Sequence, residues 1–236
     1  MTLKENIASV QSRIEAAALR SGRDPGKIAL VAATKVQTSQ TIRDAIAAGV
    51  RICGENRVQE MASHLDDDAY AGARLHFIGH LQTNKVKQVV GRVDLIESVD
   101  SERLLDAISK RAGELELIQD ILLEVNIAGE ESKGGATPSQ LPFLVEKALE
   151  LPHIRLRGLM CIPPVVVPGQ TNRNFFAQTR QLFVDINNKM ADNDADMDCL
   201  SMGMSGDFED AVEEGATLVR VGTALFGPRP PMTGNH

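Results

Sequence analysis

Residues 28–37 read IALVAATKVQ, an almost purely apolar run that ends in a lysine, Lys35, and then turns polar. A short apolar run of this kind suits a strand buried on both faces, as in a parallel sheet covered by helices. The spacing predicts a strand over Ile28–Thr34 with Lys35 at its C-terminal end. Working outward, the same unit recurs along the chain. Upstream, MTLKENIASVQSRIEAAALR sets apolar residues at helical spacing and predicts a helix over Leu3–Ser21. Downstream, a helix over Thr38–Ala48 stops at Gly49, which suits a left-handed cap. Strand Arg51–Gly54 then leads into helix Asn56–Leu65, strand Arg74–Ile78 into helix Gln82–Val90, and strand Asp94–Ser98 into helix Ser101–Gly113. Strand Ile118–Val125 is followed by a glycine-rich loop, Ala128–Ala136, and helix Pro138–Glu150. Strand Arg155–Met160 is followed by a proline-rich loop, Ile162–Thr171, and helix Asn174–Ala191. Strand Met197–Ser201 leads to a short helix near Phe208–Glu214, and strand Leu218–Val221 to a last helical turn.

Strict strand–helix alternation without hairpin signals means parallel crossovers. Eight such units predict an α/β fold, a closed (β/α)8 TIM barrel with an extra N-terminal helix that plugs or flanks it. An open doubly wound sheet is the alternative. At 236 residues, one barrel domain is the economical reading. It is expected over residues 1–229, with a disordered tail at 230–236.

Hydrophobic residues make up 43% of the chain, enough for a sizeable core, and the net charge is −7. That charge argues against a nucleic-acid or anionic-membrane partner, because both need a basic face. The N-terminal stretch has no continuous apolar core, so it reads neither as a signal peptide nor as a membrane span. The three cysteines, Cys53, Cys161 and Cys199, form no CxxC pair and read as reduced thiols. Together these features point to a cytoplasmic protein.

Barrels carry their chemistry at the C-terminal ends of the strands. Lys35 ends the first strand, where burial disfavours an ammonium and favours a nucleophilic amine; a snorkelling surface lysine is the plainer alternative. In CGENRVQE, residues 53–60, Gly54 permits tight backbone, and Asn56 is either a helix N-cap or a polar contact in the mouth. In HFIGHLQTNK, residues 76–85, no carboxylate or cysteine completes a metal set with His76 and His80, so polar lining is expected and no metal. The segment NIAGEESKGGA, residues 126–136, contains Lys133 but lacks P-loop spacing and reads as a mobile surface loop.

The segments LSMGMSGDFEDAV, residues 200–212, and RVGTALFG, residues 220–227, come after the last two strands. Barrels frequently bind phosphate there. Ser201, Gly203, Ser205, Gly206, Gly222 and Thr223 offer hydroxyls and approachable backbone N–H groups. Arg220 ends the last strand. A carbonyl-bearing phosphorylated ligand would satisfy amine, phosphate cradle and arginine together. Pyridoxal 5′-phosphate (PLP) is one such ligand, and a sugar phosphate in an aldolase-type barrel is its rival. Arg220 favours a pyridine ring, because an arginine cannot give up its proton and leaves the ring nitrogen unprotonated, a poor electron sink.

At these residues the chain closely resembles the pyridoxal phosphate homeostasis protein family, also called the YggS/PROSC family. The resemblance runs from about Ile7 to Gly227 and is carried by AATK, GENRVQE, HFIGHLQTNK, RGLMCIPP, LSMGMSGD and RVGTALFG. These motifs are similar to the N-terminal barrel of alanine racemase, a fold-type III PLP enzyme. The resemblance implies that Lys35 holds PLP as a Schiff base and that Gly54 and Asn56 lie beside the cofactor. It implies phosphate contacts from Ser205, Gly222 and Thr223 with Ser201 and Gly203 nearby, and Arg220 at the pyridine nitrogen. Met202 and Met204 are then expected at the cofactor's edge. Racemases add a β-rich domain whose tyrosine is the opposing base. Here the single tyrosine, Tyr70, falls in a polar DDDAYAGA turn, and Ile162 stands where the racemase has a histidine. The resemblance thus implies an intracellular PLP (vitamin B6) homeostasis protein acting in amino-acid and keto-acid balance without turnover. It is expected to be a monomer, with apo PLP-dependent enzymes as partners. The alternative is a PLP-dependent amino-acid racemase or lyase drawing protons from His80, Lys85, Lys133 or Cys161.

Overall fold

The structure, a computed structural model, describes residues 2–130, 133–165, 170–190 and 197–228. The expected tail at 230–236, the end of the expected helix at Ala191 and parts of the two long loops lie outside the described residues. The strands are β1 (Ala29–Ala33), β2 (Ile52–Glu55), β3 (Arg74–Phe77), β4 (Leu95–Val99), β5 (Gln119–Val125), β6 (Ile154–Cys161), β7 (Cys199–Ser201) and β8 (Leu218–Val221). They pair in chain order as a closed barrel, and β8 pairs in parallel with β1, Val31 opposite Arg220. The fold is the (β/α)8 barrel, which rules out the open sheet.

The helices are α1 (Leu3–Arg20), α2 (Ser39–Ala47), α3 (Val58–Asp66), α4 (Glu102–Glu114), α5 (Leu141–Glu150), α6 (Arg173–Met190), α7 (Phe208–Glu213) and α8 (Thr223–Phe226). Between β3 and β4 the expected α-helix over Gln82–Val90 is instead a 3₁₀ helix, Thr83–Gln88. Within TNKVKQ only Val86 is buried, so no apolar stripe rewards a longer α-helical register. Its bonds run from Lys85 N–H to the Gln82 carbonyl and from Val89 N–H to the Val86 carbonyl. That is the tighter i→i+3 pattern.

Helix α1 flanks the barrel. A capping box between Thr2 and Glu5 starts it, and Ile7, Val10, Ile14, Ala17 and Ala18 form its buried stripe. Its polar edge is tied to the last helices of the barrel. Asn6 donates to the Leu225 carbonyl over 2.8 Å, and Arg13 and Arg20 pair with Glu209 and Glu213 at 2.6 and 2.7 Å.

The core has two parts. The larger fills the space between sheet and helices, and a smaller cluster that includes Val31, Ile52, Leu95, Leu122, Met160 and Leu218 packs separately among the strands. Near the strand N-termini Asp120 binds Arg155 bidentately at 2.7 and 2.8 Å and Arg157 at 2.7 Å. Such contacts at the closed end hold the barrel together, and the opposite end is left for chemistry. No helix among the described residues is long and apolar enough to cross a membrane.

Candidate functional site

The segment after β1 is held from behind. The Thr34 hydroxyl donates to Glu55 Oε1 over 2.6 Å, and the Val36 N–H donates to Glu60 Oε2 over 3.0 Å. His64 Nε2 lies 3.1 Å from the Gln37 carbonyl. Lys35 thus sits, half-buried, between two anchored neighbours. Val36 has φ 60°, a left-handed conformation that strains a β-branched residue. Glu55 is fully buried and also accepts from the Tyr70 hydroxyl at 2.8 Å. Tyr70 lies in the turn that follows α3, as expected, and its side chain is buried behind the lysine segment. Burial, and then the Glu55 charge, push its phenol far above the ordinary range.

Asn56 has two possible roles by sequence, N-cap or mouth contact. The residue at the N-cap of α3 is Arg57, so the Asn56 amide is not spent on capping. Its Oδ1 is buried and has no hydrogen-bond partner among the described residues. Gly79, after β3, makes room for it: a Cβ there would lie 2.1 Å from the Asn56 carbonyl oxygen.

On the far side, the segments after β7 and β8 meet at Ser205. The Ser205 hydroxyl accepts from the N–H groups of Gly222 and Ala224, each at 3.2 Å. Two amides at the start of α8 are thus aimed at one acceptor. A cavity of about 380 Å³ brings Lys35, Asn56, Ser205, Arg220, Gly222 and Thr223 together, with Ala33, Ile78, Ile162 and Met204 as apolar lining and Gly206 on its rim. Its size falls in the range of small-molecule sites.

Three residues expected in this set do not line the cavity. A Cβ on Gly54 would lie 2.8 Å from both Ile78 and Val31, so Gly54 is a packing glycine in the barrel. Gly203, at φ 90°, admits Ala211, whose Cβ would be 2.5 Å from a side chain there. Ser201 is fully buried and donates to Glu97 Oε2 over 2.6 Å. Met202 packs in the outer core and only Met204 reaches the cavity.

Behind Arg220 lies a polar chain. Arg220 Nη1 donates to the Ser201 hydroxyl, and Nη2 donates to the Cys161 carbonyl over 2.8 Å. His76 Nδ1 meets Glu97 Oε1 at 2.7 Å. Burial works to raise the Glu97 pKa, but hydrogen bonds from His76 and Ser201 and the Arg220 charge outweigh it and hold the carboxyl below its usual range. Glu124 moves the other way: burial raises it, against the pull of Arg220. His76 is thus a partner of a carboxylate inside the barrel, whereas His80 stays exposed. Among the described residues no group of three or more His, Cys, Asp or Glu could hold a metal ion. Burial pushes the Cys161 thiol up to about 11. Lys133 Nζ donates to the Pro163 carbonyl over 3.1 Å and pairs with Glu130 at 2.9 Å, tying the loop after β5 to the loop after β6. Sequence reasoning passes over Glu97, although a glutamate inside the apolar strand DLIESVD is itself a sign of a buried partner.

The family model described as "Alanine racemase, N-terminal domain" matches residues 3–230. The "Pyridoxal phosphate homeostasis protein" of Aquifex aeolicus is 43% identical over 229 residues, covering 97% of this chain and 99% of that protein. Its namesake from Pseudomonas aeruginosa is 41% identical over 230 residues, covering 97% and 96%. Among solved structures, PipY of Synechococcus elongatus with PLP bound superposes with TM-score 0.83 at 33% identity, over 96% of this chain and 100% of that one. An alanine racemase from Clostridium difficile shares the fold alone, at 12% identity and TM-score 0.70, and this chain spans 57% of it. With near-full-length relatives above 40% identity and the family model matching residues 3–230, this chain belongs to the pyridoxal phosphate homeostasis protein family, within the alanine racemase N-terminal domain family.

Proposed function

We propose that this chain binds PLP covalently through Lys35 and serves to hold and hand on the cofactor within the cell, without turnover. The observation that carries the reading is the convergence of an amine, Lys35, a guanidinium, Arg220, and the Ser205, Gly222 and Thr223 corner on one cavity. The residues fit the group. The phosphate has the Ser205, Gly222 and Thr223 corner, where Gly206 has open space for an added Cβ. The buried, unpartnered Asn56 Oδ1 offers an acceptor to a hydroxyl or amine on the ligand. PLP supplies a reactive aldehyde when bound. Lys35 contributes the amine that condenses with it as a Schiff base, with loss of water. Arg220 donates to the ring nitrogen and keeps it unprotonated.

That last contact favours holding over catalysis, since carbanion chemistry needs an electron-poor ring. The names of the relatives and the PLP-bound neighbour support the same reading. Ser201, Gly203 and Gly54 then act by shaping the strands behind the site. Within this proposal residues 1–229 work as a single-domain monomer inside the cell, and apo PLP-dependent enzymes are the receivers.

The test is the visible spectrum of the purified protein with PLP, beside Lys35→Ala. A yellow wild type, trapped by borohydride on Lys35, and a variant without the band are expected. A wild type that stays colourless with PLP overturns the reading. Exchange of the Cα proton of an added amino acid in deuterated water would instead make the protein an enzyme.

A further inference from the structure

The polar chain behind Arg220 has a direction. Ser201 has one proton, and it goes to Glu97 Oε2, so its lone pairs are left to accept from Arg220. Glu97 accepts at both oxygens, from Ser201 and from His76 Nδ1, which requires the carboxylate form. His76 Nε2 is buried with no hydrogen-bond partner among the described residues. The ring thus meets the barrel interior through one nitrogen only, Nδ1, 2.7 Å from Glu97 Oε1. The relay joins Glu97 to Arg220, 3.8 Å apart and both almost wholly buried.

We propose that Glu97 and His76 are positioning residues for Arg220. Through Ser201 they fix the charge and the orientation of the guanidinium, and so determine how the cavity grips a ring nitrogen. The inference rests on the PLP reading above. The physical reason is competition for one cation. A buried guanidinium without its counter-charge is costly. The other carboxylate that feels Arg220 is Glu124, on β5 and 7% exposed. With Glu97 neutralised, Arg220 loses the carboxylate 3.8 Å away, and the Ser201 link no longer holds its guanidinium in one orientation. Ser201 and the Cys161 carbonyl hold it from β7 and β6, and His76 holds Glu97 from β3, so the device spans the barrel.

The test uses Glu97→Gln in the full chain, which keeps the shape and removes the charge. Three probes separate the contacts: PLP, its analogue 4-deoxypyridoxine 5′-phosphate, which has ring nitrogen and phosphate but no aldehyde, and inorganic phosphate as competitor. The analogue is expected to bind Glu97→Gln about tenfold more weakly, as for loss of one charge-assisted contact. The visible band of bound PLP is expected to shift, and inorganic phosphate to compete at wild-type concentrations. His76→Phe should move the analogue in the same direction, and His76→Gln, which keeps a donor toward Glu97, should restore part of the loss. A folded Glu97→Gln with wild-type affinity and band overturns the inference. So does equal weakening of analogue and phosphate, which would mark a general disturbance. If Glu97→Gln does not fold, Ser201→Ala is read in its place by the same criteria. A wild type that takes up neither PLP nor the analogue overturns the cofactor reading, and this inference with it.

Discussion

Val36 donates its backbone N–H to the Glu60 carboxylate over 3.0 Å while holding φ at 60°. A β-branched residue in that region costs about 1–3 kcal/mol and persists only where its surroundings hold it. The holder comes from α3, and the strained residue lies directly after the candidate attachment lysine. Glu60→Ala should let Val36 relax. We expect capture of PLP by Lys35 to slow about tenfold, through lost pre-organisation. Global stability should change by less than ~1 kcal/mol, because the freed N–H can be hydrated. Stopped-flow absorbance and thermal melts measure the two effects separately; equal losses in both would mean that Glu60 is only structural.

The chain has one tyrosine and no tryptophan, so its phenolate signal is unambiguous. Burial, and then Glu55, raise the folded pKa of Tyr70 above the unfolded value of about 10. The folded state then keeps the proton that the unfolded state loses. The stability this contributes is complete below about pH 10 and declines as the pH rises beyond it. In an alkaline titration the phenolate should therefore appear together with loss of far-ultraviolet dichroism. A phenolate that forms near its ordinary pH in a folded protein would show that Tyr70 is reachable by solvent.

Gly79→Ala places a methyl group 2.1 Å from the Asn56 carbonyl oxygen and 2.6 Å from its Cα. Both obstacles are backbone and cannot rotate away. The ends of β2 and β3 must part, at a cost of about 3 kcal/mol. PLP affinity should fall further than that of other variants equally destabilised, because Asn56 lines the cavity. Urea denaturation with a parallel PLP titration decides this.

Asp120→Asn tests the opposite end. Asp120 accepts from both Arg155 and Arg157, and the aspartate is nearly buried while Arg155 stays largely exposed. Exposure of that partner screens the pair, so the loss should be about 2 kcal/mol. PLP binding should stay at wild type. A change in PLP affinity would mean that the two ends of the barrel communicate.

The fold is legible because each strand is a short apolar run and each crossover carries its own helical period. IALVAATK and DILLEV are strands by the same rule. The segment TNKVKQ shows where the rule weakens: with a single buried residue, helix type is set by the space between β3 and β4 rather than by pattern. At the site, Lys35, Asn56, Ser205, Arg220, Gly222 and Thr223 meet in one cavity, and their places at or just past the C-terminal ends of strands announce them. Ser201 lies deeper, where its hydroxyl meets a glutamate 104 positions away. No local signal records such a pairing. The turn that holds Tyr70 is legible from its polar neighbours, but its partners Glu55 and His64 come from other elements and leave no local signal.

The closure of β8 against β1 has a consequence for how the protein is made. The candidate attachment amine emerges with the first strand, whereas Arg220 and the Gly222 amide emerge with the last. Synthesis proceeds from the N-terminus, and pairings this far apart in sequence form late. On the proposed reading, a nascent chain carries the amine long before it has the residues that would grip the phosphate or the ring. Cofactor uptake becomes a marker of finished assembly, and a pulse of PLP during translation should label only chains that have left the ribosome.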